Sequence, residues 1–232
     1  MKNESILIIA HRGANNQAPE NTMKAFRRAI ELEADYIEFD VHESKDGKLV
    51  IIHDSNTYRT TGVKGEIKEM TLKELKELDC GEGEKIPTLQ ELIAVAKGKI
   101  GLQCEIKAEG IAEKVITLFE KEEMIDDVLI SSFKREEIFK INKLNPDVKL
   151  ASLFIGLIRK KKRIKEAITH NLYALHPYYR LASKKFIQKA HQKGIKVNPW
   201  TVNSAEHIKK LVNKGIDGII TNDIETARKA LK

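Results

Sequence analysis

The amino-acid sequence predicts an α/β fold, a TIM (β/α)8 barrel with a short antiparallel hairpin after the second strand. Short runs of β-favouring apolar residues alternate with longer amphipathic segments along the whole chain, which indicates parallel strands joined by crossover helices. A hairpin signal, Asp46-Gly47, separates two of these runs. No glycine-rich dinucleotide-binding fingerprint follows the first run, which argues against an open doubly wound sheet.

Nine short runs are candidate strands. Amphipathic segments such as 22–34 and 204–215 lie between most of them, with apolar residues at helical spacing. The second of these segments ends on a glycine, which is a common helix stop signal. In chain order the candidate strands span residues 6–10, 35–41, 48–54, 100–107, 128–133, 149–154, 172–177, 196–201 and 217–221.

The third run is predicted to be an antiparallel excursion rather than a barrel strand. The segment "HESKDGK" that precedes it is too short for a parallel crossover, which needs roughly a dozen residues or more. Setting this run aside leaves eight strands for a barrel. A two-residue turn at Asp46 and Gly47 would place Asp40 opposite His53, and a bulge would shift this register by one residue.

Length and composition favour one globular domain, residues 1–232. The chain is 41% hydrophobic and 32% charged, and no glycine-, proline- or serine-rich linker divides it. No apolar stretch approaches about 18 residues, so we expect no stable membrane insertion. The first residues lack the pattern of a signal peptide, and Cys80 and Cys104 form no CxxC pair. We therefore expect free thiols and a cytoplasmic location.

The net charge of +7 raises the question of a polyanionic partner. The densest basic run, residues 159–163, is compatible with a nucleic-acid or anionic-lipid patch, but a solvated face of a surface helix is the favoured explanation. No aromatic stacking platform accompanies it. We therefore expect no nucleic-acid partner and a positive balance that attracts a small anionic substrate.

Polar residues stand at the carboxyl ends of the predicted strands, where functional residues of TIM barrels collect. Glu38 and Asp40 are two residues apart in one strand, so their side chains point to the same face. Buried carboxylates on one face repel unless a cation neutralises them. The strand-end residues are His11, Arg12, Glu38, Asp40, Glu105, Lys107, His176, Trp200 and Thr221.

Three of these residues predict a metal site. Glu38, Asp40 and Glu105 offer oxygen ligands, which hard divalent cations such as Mg²⁺ or Ca²⁺ prefer. The alternative is a salt-bridge cluster in which Lys107 and Arg12 neutralise the carboxylates without a metal.

The remaining polar strand ends favour phosphodiester hydrolysis. Histidine titrates near neutrality and serves as a general acid or base, and His11 and His53 are the two candidates. Arg12 can hold phosphate oxygens in a bidentate fork, and Lys107 can add a point charge. A metal ion would stabilise charge on the same oxygens.

An ordered set of motifs resembles the glycerophosphodiester phosphodiesterase family, in its compact cytosolic type, over nearly the whole chain. The set comprises "AHRG", "PENT", "IEFDV" followed by "KDGKLVIIHD", "RTTGVKGEIKEMTLKELKELDCG", "IPTLQEL", "EIK", "SSF" and "NPWTVN". In two details the chain departs from the family pattern. Ser44 replaces a threonine often seen before the turn, and "TND" ends the last strand where "TD" is common.

The resemblance implies a TIM barrel, one divalent cation, and hydrolysis of glycerophosphodiesters to sn-glycerol 3-phosphate and an alcohol. It further implies that a neighbouring hydroxyl attacks phosphorus to give a cyclic phosphate, which water then opens. The order of the two histidines in this reaction, the choice of metal and the oligomeric state stay open. The implied site residues are His11 and His53 as acid and base, Glu38, Asp40 and Glu105 as metal ligands, Arg12 and Lys107 for phosphate, and His176 and Trp200 for the glycerol pocket.

Two other functions use the same residues. A lysophospholipase D would act at this site on a lipid headgroup, and residues 152–163 combine the apolar and basic character that such a protein needs at its mouth. A non-catalytic anion-binding barrel is the second alternative. The presence of both histidines and all three carboxylates argues against it.

Overall fold

The structure is a closed parallel barrel surrounded by helices. The computed structural model of the chain describes residues 6–156 and 160–232, without the side chains of residues 160 and 161. Eight parallel strands lie in the order β8-β7-β6-β5-β4-β2-β1-β9, and β3 pairs antiparallel with β2. The strands are β1 Leu7–His11, β2 Tyr36–Glu43, β3 Leu49–Ile51, β4 Gly101–Ile106, β5 Val128–Ser132, β6 Lys149–Phe154, β7 Ala174–Pro177, β8 Lys196–Val197 and β9 Gly218–Thr221.

Backbone hydrogen bonds close the barrel between its last two strands. Val202 N donates to Ile220 O at 2.9 Å, and Ile220 N donates to Pro199 O at 3.0 Å. Strand β8 is only Lys196–Val197, shorter than the predicted 196–201, because Pro199 has no N–H to donate to a neighbouring strand. The TIM-barrel prediction is confirmed.

Ten helices in the described residues surround the strands. Thr71 and Thr88 begin their helices with capping boxes, and Thr22 accepts a hydrogen bond from Ala25 N at the start of the first. None of the helices among the described residues has the length and apolar character needed to cross a bilayer. The helices are α1 Met23–Glu31, α2 Tyr58–Thr61, α3 Leu72–Glu77, α4 Leu89–Ala96, α5 Ala112–Lys121, α6 Arg135–Leu144, α7 Lys160–Thr169, α8 Lys184–His191, α9 Ala205–Val212 and α10 Ile224–Leu231.

The alternation along β2 sorts its side chains between the helices and the barrel interior. Ile37, Phe39 and Val41 are fully buried in the apolar core between strands and helices. Glu38 and Asp40 take the opposite, inward face, as their spacing predicts. In the parallel register Asp40 lies beside Glu105 of β4. The sheet therefore brings three carboxylates together below the mouth of the barrel.

The hairpin has a different register from the predicted one. Ser44 N donates to Lys48 O at 2.9 Å, so the loop contains three residues, 45–47, instead of two. Its last residue, Gly47, has a φ of 74°, the left-handed conformation that three-residue hairpin loops use. The longer loop places Ile52 N, not His53, at 3.0 Å from Asp40 O. The prediction of Asp40 opposite His53 is therefore wrong by one residue.

The basic run at residues 159–163 lies partly outside the described residues, as does part of the stretch 152–163. The proposed roles of these two stretches stay predictions.

Candidate active site

A cavity opens at the carboxyl ends of the strands and contains most of the predicted site residues. Asp40 lies beneath its floor, with 1% of the residue exposed. Charged side chains from β1, β2 and β4 and the loop after β3 form one half, and apolar side chains from the later strands form the other. The cavity is lined by His11, Arg12, Glu38, His53, Gln103, Glu105, Lys107, Phe133, Leu153, Trp200 and Ile220.

The three carboxylates form one compact, buried group. One oxygen of each of Glu38, Asp40 and Glu105 lies within 4.8 Å of the others. Burial and the two neighbouring carboxylates raise the pKa of Glu38 well above its usual range. Burial and Asp40 raise the pKa of Glu105 to about 7, against the opposing effect of Lys107. Ionising all three carboxylates together is therefore unfavourable at this buried position.

Asp40 is the most strongly neutralised of the three. Arg12 Nε lies 3.3 Å from its Oδ2, and Asn21 Nδ2 donates to the same oxygen at 2.9 Å. Lys107 Nζ lies 3.5 Å from Oδ1 and donates to Glu105 Oε1 at 2.9 Å. Burial acts to raise the pKa of Asp40, but Lys107 and Arg12 outweigh it and hold the pKa below its usual value.

This arrangement fits a divalent cation. Oxygens on opposite sides of a Ca²⁺ ion are separated by about 4.6–5.2 Å, comparable to the observed spread of the three carboxylates. Asp40 Oδ1 is buried and accepts no hydrogen bond from any described residue, so a ligand position is left open. Arg12 and Lys107 bring two positive charges against three carboxylates. When all three carboxylates are ionised, one negative charge is left unbalanced.

The loop after β1 is shaped by backbone conformation. Arg12 has a left-handed φ of 57°, and its backbone N–H donates to Glu38 Oε2 at 2.9 Å. Gly13 follows with a φ of 79°, and a Cβ at this position would lie 2.8 Å from Ala25 of α1. Asn21 N donates to Arg12 O at 3.0 Å, which ties the "PENT" segment to the same loop. The local sequence therefore holds Arg12 against two carboxylates.

His11 has a neutral hydrogen-bond partner. Its Nδ1–H donates to Asn222 Oδ1 at 2.7 Å, and Asn15 Nδ2 donates to the same oxygen at 3.2 Å. Because that oxygen is an acceptor only, the network assigns the proton to Nδ1 and leaves Nε2 as a base. Burial and the neighbouring Arg12 charge lower the pKa of His11 to about 4.

His53 has a charged partner instead. Its Nδ1–H donates to Asp54 Oδ1 at 2.6 Å, and Arg59 Nε donates to Asp54 Oδ2 at 2.6 Å. Arg59 Nη2 also donates to Glu20 Oε1 at 2.6 Å, and Glu20 binds Arg12 at 3.0 Å. A chain of alternating charges therefore joins the His53 loop to the His11 loop.

Sequence reasoning missed three supporting residues: Asn222, Asp54 and Arg59. His42 has a structural role: its Nε2 lies 3.2 Å from His53 O and holds the backbone of that loop. Asp54 could have been found because it directly follows a candidate histidine. Asn222 lies 211 residues from His11, so only the closed barrel shows their contact.

His176 is not on the surface of this cavity, contrary to the prediction. It is fully buried, and Asn198 Nδ2 lies 3.3 Å from its Nε2. Burial lowers the pKa of His176 to about 3, so the ring is neutral. His176 precedes the last residue of β7, Pro177, and its side chain is enclosed within the barrel instead of reaching the mouth.

Trp200 does line the cavity, at the centre of an aromatic wall. Its ring meets Phe133 edge to face at 5.4 Å between centroids and Tyr178 at 5.9 Å. Its Nε1–H donates to His176 O at 2.8 Å, which fixes the indole plane. The wall gives an apolar surface opposite the carboxylates, suited to the carbon skeleton of a small ligand.

The site combines an anion-binding half with two differently supported histidines. A cation held by three carboxylates, together with Arg12 and Lys107, can bind phosphoryl oxygens. A neutral His11 can accept a proton, and His53 beside Asp54 can carry one. Such an arrangement is suited to general acid–base cleavage of a phosphate ester.

Comparisons with known proteins point in the same direction. A sequence profile described as the glycerophosphoryl diester phosphodiesterase family matches residues 11–226. A glycerophosphodiester phosphodiesterase of Caldanaerobacter subterraneus is 39% identical over 95% of each chain. A phosphodiesterase of Oleispira antarctica, solved with the product sn-glycerol-3-phosphate, has a TM-score of 0.88 and 29% identity over 97% and 96% of the two chains. A glycerophosphodiester phosphodiesterase of Thermotoga maritima has a TM-score of 0.85, 30% identity and 97% coverage of both chains.

Proposed function

Because the chain belongs to the glycerophosphoryl diester phosphodiesterase family of phosphoric diester hydrolases, we propose that it hydrolyses glycerophosphodiesters to sn-glycerol 3-phosphate and an alcohol. The observation that supports this proposal most directly is a buried group of three carboxylates, Glu38, Asp40 and Glu105. It lies in one site with His11 and His53. The product held by the Oleispira relative supports a small glycerophosphate ligand here too.

One divalent cation, Mg²⁺ or Ca²⁺, completes the proposed site, with Glu38, Asp40 and Glu105 as its protein ligands. When bound, it neutralises charge on the phosphoryl oxygens and polarises the bonds to phosphorus. Arg12 and Lys107 stay charged beside these ligands and bind the remaining phosphate oxygens. The aromatic wall at Trp200 holds the glycerol carbons and excludes water from one side of the ester.

We propose that His11 is the base and His53 the acid of the first step, because His11 has a neutral hydrogen-bond partner and His53 has a carboxylate partner. His11 Nε2 takes the proton of the glycerol 2-hydroxyl as that oxygen attacks phosphorus. His53, whose positive ring Asp54 can neutralise, gives a proton to the leaving alcohol. In the second step His53 removes a proton from water, the water oxygen opens the cyclic phosphate, and His11 returns its proton to the 2-hydroxyl. Both histidines finish in their starting states.

Asn222→Asp tests the neutral partner of His11. A carboxylate beside Nδ1 stabilises the imidazolium, so the pKa of His11 rises above about 4 and the base is protonated over more of the acid range. We expect the acid limb of the kcat/KM profile to move up by about one pH unit or more. Asn213→Asp, at an exposed position, should leave the profile in place. An unmoved acid limb in Asn222→Asp would contradict the base role of His11.

Arg59→Met tests the charge chain between the two histidine loops. Both carboxylates, Asp54 and Glu20, lose their shared partner, so we expect kcat to fall about 10- to 100-fold with a smaller change in KM. The melting temperature should change little, because the Arg59 side chain is 48% exposed and such ion pairs add little stability.

Arg59→Lys should recover part of kcat, since one ammonium group can contact one of the two carboxylates. The matched control is Arg228→Met, which breaks a remote ion pair with Glu33. If kcat in Arg59→Met equals the wild-type value, the chain of charges does not position the histidines.

Product analysis with three substrates tests the function itself. Glycerophosphocholine and glycerophosphoethanolamine should each release sn-glycerol 3-phosphate and the free alcohol. Lysophosphatidylcholine tests the lysophospholipase D alternative, since it carries the same phosphodiester on an acylated glycerol. Faster cleavage of the lysolipid would replace the proposed substrate, and binding of glycerophosphocholine without any product would support the anion-binding barrel.

We also propose that the protein acts in a reducing compartment such as the cytoplasm. Cys80 and Cys104 are both buried free thiols. Burial raises the pKa of Cys80 to about 11 and raises that of Cys104 as well, so both are poor nucleophiles. Cysteines that form no disulfide are typical of proteins in reducing compartments.

A further inference from the structure

Positive charge is concentrated in one sector of the barrel. Residues 149–216, from β6 to the connection after α9, contain sixteen lysines and arginines and only two acidic residues. The rest of the chain contains 25 basic and 32 acidic residues, so the sign of its charge is opposite. The protein is therefore strongly dipolar, and an anionic surface would attract the side that carries the basic sector.

The two acidic residues of this sector are already paired. Glu166 binds Arg135, and Glu206 binds Lys210. Neither offsets the exposed lysines of α8, which include Lys184 and Lys185. Helices α7, α8 and α9 follow the consecutive strands β6, β7 and β8, so they stand side by side on the outside of the barrel.

Basic and apolar side chains meet where this sector reaches the mouth of the barrel. A helix that follows a barrel strand begins next to the carboxyl end of that strand, which places Arg180, Lys184 and Lys185 at the mouth. Two large apolar residues are exposed at the same end: Ile155, with 66% of its surface accessible, and Phe133, with 41%. Phe133 also lines the active-site cavity, so this rim and the site are continuous.

We propose that this rim, defined by Phe133, Ile155, Arg180, Lys184 and Lys185, docks the enzyme on an anionic lipid surface with the active-site mouth facing the headgroups. Lysines near such a surface gain attraction from its negative potential, and exposed aliphatic and aromatic side chains enter the headgroup layer. A nucleic acid offers phosphates but gives Ile155 nothing to contact. Lipid is therefore the partner that uses both halves of the rim.

Vesicle flotation tests the rim without measuring catalysis, so its outcome is separable from that of the proposed function. In about 50 mM salt we expect binding to phosphatidylcholine vesicles that contain about 30% phosphatidylglycerol, and little binding to phosphatidylcholine alone. Raising the salt to about 300 mM should release most of the bound protein, because the attraction is screened.

The variant pair Lys184→Glu/Lys185→Glu should weaken binding to the anionic vesicles at least about 30-fold, the factor expected for two lost surface lysines. Acidic residues in the first turn of α8 favour the helix, so the variant should keep its fold and its activity on soluble glycerophosphocholine. The control pair Lys68→Glu/Lys73→Glu makes the same charge change at exposed positions outside the sector and should bind as the wild type does. Ile155→Ser should weaken binding several-fold at unchanged charge.

Three results would overturn the proposal. They are equal binding to neutral and anionic vesicles, equal weakening by the rim and control pairs, and tighter binding to a short DNA duplex than to the anionic vesicles. The last result would assign the basic sector to nucleic acid instead.

Discussion

His11→Ala is expected to lower kcat for glycerophosphocholine by about 10²- to 10⁴-fold, the range that a positioned general base contributes. His53→Ala should cause a loss of the same order, because each histidine acts in both steps. A substrate whose leaving alcohol is p-nitrophenol distinguishes the two variants. That leaving group departs without a proton, so the initial release of p-nitrophenolate should be near normal in His53→Ala and remain slow in His11→Ala.

His170→Ala is the matched control for these variants. His170 stacks on Phe139 at the surface, away from the cavity, and its removal should leave kcat unchanged. Circular dichroism and the melting temperature establish that all three variants are folded. Near-normal initial release of p-nitrophenolate in His11→Ala, with slow release in His53→Ala, would exchange the two roles. Full activity of either variant on glycerophosphocholine would remove that histidine from the mechanism.

Glu38→Gln is expected to abolish most of the activity and to stabilise the metal-free protein at the same time. Loss of one carboxylate ligand should weaken metal binding by at least about 10-fold and lower kcat/KM by 10²-fold or more. The stability effect has the opposite sign, because burial and the two neighbouring carboxylates raise the pKa of Glu38. A neutral amide avoids the cost of ionising that buried group.

The direction of the pH dependence follows from the raised pKa of Glu38. A group whose pKa is higher in the folded state contributes stability below its ordinary pKa, 4.5 for Glu38, and that contribution is lost as pH rises through the folded-state value. In chelator, the melting temperature of Glu38→Gln should therefore exceed that of the wild type by more at about pH 8 than at about pH 5. Added metal should stabilise the wild type more than the variant.

Glu31→Gln, at an exposed position where the side chain pairs with Arg28, controls for the loss of one negative charge. It should follow the wild type in both activity and melting temperature. An equal difference between Glu38→Gln and wild type at the two pH values would show that Glu38 is not held in a repulsive cluster.

Strand periodicity was sufficient to predict the fold and the position of the carboxylates. Glu38 and Asp40 face inward because residues two apart in a strand share a face, and this holds wherever the strand is placed. The strand-end position of Glu105 predicted that it lies at the same end of the barrel, and the observed register places it beside Asp40. The shared face of Glu38 and Asp40 depends on short-range geometry, which the sequence encodes directly.

The features that sequence reasoning missed depend on single-residue offsets or on distant contacts. One extra loop residue before Gly47 moved the hairpin register, and His176, one residue before the end of β7, is fully buried instead of lining the cavity. Asn222 reaches His11 only because β9 returns to lie beside β1. Arg59 reaches Glu20 across 39 residues through the folded loops. No local pattern reports such contacts.

The rate of sn-glycerol 3-phosphate release from glycerophosphocholine, with and without chelator, tests the central claim most directly. The wild-type enzyme treated with chelator should lose activity by at least about 100-fold, and added Mg²⁺ or Ca²⁺ should restore it. Glu38→Gln should recover far less under the same additions. An undiminished rate in chelator would contradict a reaction that depends on a cation held by Glu38, Asp40 and Glu105.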